Sequence, residues 1–166
     1  MKNGLALLIL GLFAVAWPGR LVAAEKLSLT VNGQRVSAYR TGDLESAKKE
    51  AIGAHKPIAW IASTFKFLDG HGTISQPSNR GATLHELFAL RDRAVIVFMD
   101  AYEENHKVVQ FVDDALHTPD PHYTPPTVLF LDPEAKTVLA TVTYEPDMVK
   151  RAKALAKALD DIKGKF

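Results

Sequence analysis

Apolar positions along the chain switch between two spacings, and each switch marks an element. Leu27 to Val31 and Arg35 to Tyr39 alternate apolar with polar residues around Asn32-Gly33, a pair suited to the positive φ angles of a tight turn, which predicts a β-hairpin. Leu44, Ala47, Ala51 and Ala54 then fall on one helical stripe. Asp43 can cap that helix and Gly53 lies near its stop. Pro57 to Ala62 and Ala94 to Met99 are uninterrupted apolar runs, the pattern of strands buried on both faces. Val108, Phe111, Val112, Ala115 and Leu116 mark one face of a further helix. Strand, helix, strand implies a parallel crossover. Thr127 to Leu131 and Thr137 to Thr143, joined by a turn at Asp132 to Lys136, predict an antiparallel hairpin. A closing helix is expected from about Pro146 to Ile162, with proline at its first position and Met148, Ala152, Leu155, Leu159 and Ile162 as its stripe.

Between these elements, the stretch from about Thr64 to Gly81 has three glycines, one proline and no clear period, so it reads as a long loop of the kind that often carries function. Thr83-Leu84-His85-Glu86 after it spells a capping box, with Leu84, Leu87 and Phe88 as the buried face of a short helix. Phe65, Phe67 and Leu68 admit two readings: a helix start buried in the core, or an exposed apolar patch that binds a partner.

The N-terminus departs from this pattern. Met1 and Lys2 precede an apolar run from Leu5 to Ala16, which Pro18, Gly19 and Arg20 break. The run is short of the roughly 20 residues a spanning helix needs, and Val22-Ala23-Ala24 offers the small residues of a cleavage site. Residues 1–24 are therefore expected to be a signal peptide, cleaved before Glu25, with residues 25–166 forming one domain. Loss of Lys2 and Arg20 leaves 18 basic against 19 acidic residues, a formal charge of −1, which points to neither nucleic acid nor a membrane surface. The chain has no cysteine. Disulfide stapling, thiolate metal sites and lipid attachment through a cysteine are all excluded.

Several segments resemble the thioredoxin-like superfamily. Asp43 to Ala62, including the Lys56-Pro57-Ile58 lead-in, is similar to the helix and first central strand of its secreted members. Val95 to Asp100 resembles the second central strand with its trailing aspartate. Tyr123-Thr124-Pro125-Pro126-Thr127-Val128-Leu129-Phe130-Leu131-Asp132-Pro133 resembles the cis-proline segment. The resemblance spans about Asp43 to Ile162, and it implies a three-layer α/β sandwich around a mixed sheet, to which the N-terminal hairpin is an addition. It makes Pro126 the cis proline, the alternative being an ordinary trans Pro-Pro turn. An ungapped reading puts Phe65-Lys66-Phe67-Leu68 where the family carries Cys-x-x-Cys, and Ala59 where many members carry a buried aspartate. Family members also dock extended polypeptides on the backbone of the residue before the cis proline. Here that residue is Pro125, which has no N–H to donate.

Candidate chemistry collects at the same place. His71, His117 and His122 fall on two segments that the resemblance sets face to face, near Asp69, Asp113 and Tyr123. Asp113 and His117, four apart on a helix, are a possible metal pair, but no dense ligand motif accompanies them. Ser63 and Thr64 invite comparison with glutathione transferases, which need a second helical domain that the chain has no length for, and a serine nucleophile needs a base. The expectation is thus a periplasmic or secreted protein without thiol–disulfide activity and without a cofactor, an accessory factor that binds an envelope protein. Its candidate surface comprises Phe65, Lys66, Phe67, His71, His117, His122, Tyr123, Pro125 and Pro126. A histidine metal site and a cysteine-independent enzyme are the rival readings. Neither nucleic-acid binding nor stable membrane insertion after cleavage is expected, and the oligomeric state is left open.

Overall fold

The computed structural model describes residues 26–31, 33–68, 71–74, 77–100, 108–118 and 124–166, with backbone alone at 31, 65–68, 71–74 and 77–80. The expected signal peptide and its cleavage bond lie outside the described residues, as do Asp69, His122 and Tyr123.

In chain order the elements are β1 (Leu27–Val31), β2 (Gln34–Arg40), a 3-10 turn (Thr41–Asp43), α1 (Leu44–Ala54), β3 (Ile58–Ser63), β4 (Phe65–Leu68), β5 (His71–Ile74), α2 (Pro77–Leu90), β6 (Val95–Asp100), α3 (Gln110–Leu116), β7 (Thr127–Leu131), β8 (Val138–Val142) and α4 (Met148–Ile162). Six strands form one mixed sheet in the order β1-β2-β6-β3-β7-β8. Strands β2, β6 and β3 run parallel, with β7 antiparallel to β3 and β8 to β7. That order and those directions define a thioredoxin-like α/β fold. The N-terminal hairpin is built into it: β2 pairs with β6, so only β1 stands outside the central five strands.

The apolar runs in β3, β6 and β7 follow from helices on both faces. Successive side chains point to opposite sides of a strand. Ala59, Ile61, Ile96, Phe98, Val128 and Phe130 accordingly pack with Leu87 and Leu90 of α2 and Leu155, Leu159 and Ile162 of α4. Their alternates Ile58, Trp60, Ala62, Val95, Val97, Met99, Leu129 and Leu131 pack with Ala47 and Ala51 of α1 and Val112 and Leu116 of α3. The small Ala47 and Ala51 let α1 sit close to the sheet, above Trp60, which is fully buried.

Three expectations are corrected. The stretch after Thr64 is not a structureless loop: β4 and β5 pair antiparallel, Phe65 opposite Ile74 and Leu68 opposite His71, and α2 starts at Pro77. Phe65-Lys66-Phe67 is thus a strand with alternating character, not a helix start, and Pro77 takes the first helical position, where its missing N–H costs nothing. The capping box is the second correction, because Thr83 and Glu86 lie inside α2 and are fully buried. Third, α4 begins at Met148, not Pro146. Asp147 caps it, accepting from Val149 N at 2.8 Å and Lys150 N at 3.1 Å. Met148 consequently leaves the stripe, 56% exposed, and Arg151 joins it. Among the described residues no helix is long and apolar enough to cross a membrane.

Candidate functional site

One end of the sheet gathers the segments singled out in the sequence. Ser63, the last residue of β3, lies opposite Asp100, the last of β6. Ala62 pairs with Thr127 of the antiparallel β7, so one step further brings Ser63 level with Pro126. Val142 at the end of β8 pairs with Val128, which puts the connection into α4 at this end too. The strand β4 leaves directly from it and packs on α2 and β1.

Buried hydroxyls gather at this end of the sheet. Ser63, Thr64, Thr83 and Thr127 are almost wholly buried. Ser63 Oγ and Thr83 Oγ1 share a 2.6 Å hydrogen bond that ties β3 to α2, and Thr127 Oγ1 donates to Thr124 O at 3.1 Å. The position of Thr83 three residues before Glu86 puts both on the buried stripe of α2 with Leu87 and Leu90. Burial pushes the Glu86 carboxyl up to about 8, a rise that Arg151 opposes. Burial and then Arg151 hold His85 below its ordinary value.

The sequence-predicted site residues have different fates. Phe65, Lys66 and Phe67 lie on β4 and His71 on β5, where the pairing of Leu68 with His71 closes the small hairpin. Pro125 is half-buried and Pro126 buried, joined by a cis peptide bond. His117 is the C-cap of α3. Its Nδ1 lies 2.8 Å from Asp113 O and 3.5 Å from Asp113 Oδ1, so the helical spacing does bring this pair together. Among the described residues no group of three or more His, Asp or Glu converges on a common point. His122 and Tyr123 lie outside the described residues.

Ser63 and Thr64 stand out in the sequence, whereas the roles of Thr83, Glu86 and Arg151 emerge only in the fold. The signal was present only in part: Thr83, Glu86, Leu87 and Leu90 already follow a helical stripe, yet that stripe competes with an equally good capping box.

The strand order and directions define a thioredoxin-like domain, and the chain carries no thiol. Disulfide exchange needs a thiolate, and the chain has no cysteine to supply one. A solved structure of a DsbH oxidoreductase is similar, at 16% identity over 87% of this chain and 92% of that chain, with a TM-score of 0.46. No family model and no curated protein matches the chain.

Proposed function

We propose that this is an exported, redox-inert accessory protein that binds another protein of the cell envelope through a surface formed by Phe65 to His71 and His117 to Pro126. The observation behind the reading is that the fold keeps the end at which such sheets place their ligands while lacking all thiol chemistry. The β4–β5 hairpin adds surface there without closing a second domain. Pro125 removes one backbone donor from that end, so the partner is held by side chains more than by added strand pairing.

Export rests on the N-terminal pattern of Lys2, the Leu5 to Ala16 run and Ala24. Mass spectrometry of the exported protein is expected to find Glu25 as the first residue, and intact Met1 in a membrane fraction would overturn export by cleavage. Binding is tested by replacing Lys66, His71, His117 and Tyr123 singly with alanine, checking folding by circular dichroism and repeating affinity capture from envelope extract. At least one variant should lose a captured protein that Lys150→Glu and Lys157→Glu retain. If all four alanine variants keep the wild-type partners while the α4 charge reversals lose them, the binding surface is elsewhere.

A further inference from the structure

The apolar layer between α2 and α4 holds an acidic and a basic side chain with unspent hydrogen-bonding capacity. Glu86 of α2 is 0% exposed and Arg151 of α4 is 2% exposed. Among the described residues, neither carboxyl oxygen of Glu86 has a hydrogen-bond partner, and neither Nε nor Nη1 of Arg151 has one. The guanidinium is instead held from the other side, where Nη2 donates to Glu145 O and the group stacks over the Tyr144 ring at 5.2 Å. Arg151 therefore favours the ionised form of Glu86 without a hydrogen bond to it.

Two arrangements of Arg151 follow from this geometry. An ionised carboxylate in such a place is costly unless it gains donors, so a neutral carboxyl is the form compatible with Glu86 as it stands. When the proton leaves for solvent, Nε and Nη1 of Arg151 are unspent donors on the helix packed against α2. Bonds to them join two ionised groups and are stronger than the bond to the uncharged Glu145 O and the stacking on Tyr144.

We propose that Glu86 and Arg151 form a proton-operated switch: with Glu86 neutral, Arg151 clamps the β8–α4 connection through Tyr144 and Glu145, and with Glu86 ionised it turns inward and releases that connection. The connection lies at the same end of the sheet as Pro126, because Val142 just before it pairs with Val128. The switch stands whether or not that end binds a partner.

Other groups around α2 leave Glu86 as the centre of the transition. Of the elements packed on it, α4 buries Arg151 as its one charged side chain among the described residues, β4 carries Lys66, β6 ends at Asp100 and β3 has no charged residue. On α2 itself are Arg80 and His85, and His85 is held neutral through the range in which Glu86 titrates.

The test is a carboxyl and side-chain NMR titration of the purified protein. One glutamate carboxyl should titrate with a midpoint of about 8, and the Arg151 Nε–H and Tyr144 ring signals should move with that same midpoint. In Glu86→Gln those signals should stay at their low-pH positions throughout, while Arg151→Gln should leave Tyr144 unresponsive. If all carboxyls titrate below about pH 6, or Glu86 titrates while Arg151 and Tyr144 stay silent, there is no switch. The wild-type titration decides the matter even where a variant does not fold.

Discussion

Single residues in this chain change meaning with what surrounds them. Gly33 is the simple case. It sits at φ +75° in the β1–β2 turn, and a Cβ there would meet nothing within 4 Å, so any cost of adding one lies in the backbone alone. Gly33→Ala should destabilise by about 1 kcal/mol, read as a lower urea midpoint with an unchanged slope. Thr83 is the opposite case, because its neighbours in sequence suggest a cap and its neighbours in space make it a core contact. Its Oγ1 meets Ser63 Oγ at 2.6 Å across twenty residues of chain. A double-mutant cycle of Ser63→Ala and Thr83→Val should give a coupling of about 1 kcal/mol in favour of the pair. Trp60, buried and the only tryptophan beyond the N-terminal 24 residues, serves as the fluorescence reporter. Additivity within error would mean the contact contributes nothing.

At the scale of elements, what could be read from sequence depended on how local the cause was. The central strands were legible because helices on both faces demand continuous apolar runs, and Ile58 to Ala62, Val95 to Met99 and Thr127 to Leu131 supply them. The hairpin of β4 and β5 was not, since four-residue strands offer too few alternations to establish a period, and the glycines in the segment point to loop. The start of α4 slipped because Pro146 and Asp147 both signal a helix start. Two backbone N–H groups without helical partners favour the residue with a side-chain acceptor. Asp147→Ala should accordingly cost about 1 kcal/mol and fray the first turn of α4, seen as faster amide exchange at Val149 and Lys150, whereas Pro146→Ala should cost much less. The candidate site was legible only at its strand ends. Ser63, Thr64, Pro125 and Pro126 sit on elements the pattern reveals, while Glu86 and Arg151 acquire their role from the packing of α2 on α4, which no local spacing encodes.

For the whole molecule, buried and tethered carboxyls set a pH profile with two opposing arms. Glu86 has a folded pKa of about 8, above its unfolded value of 4.5. Between those two values the folded protein keeps a proton that the unfolded chain has lost, so this contribution is full in acid, declines as pH rises and is gone above about 8. Over that window it amounts to about 5 kcal/mol at most. Glu50 acts in the other direction. Its burial disfavours ionisation, but hydrogen bonds from Lys26 at 2.5 Å and Tyr39 at 2.6 Å prevail and hold it below the ordinary carboxylate value. Its contribution is present above the unfolded pKa and is lost as pH falls through the folded one. The Glu50 side chain is 40% exposed, so this arm is shallow. Stability should therefore peak in mild acid, near pH 5, and fall towards pH 8.5, a profile visible in urea midpoints followed by Trp60 fluorescence. Glu86→Gln should flatten the alkaline arm, because a neutral amide has no proton to lose, and it should leave the acid arm in place. A wild-type protein as stable at pH 8.5 as at pH 5.5 would mean that Glu86 is already ionised in the folded state, with donors close enough to hold its charge.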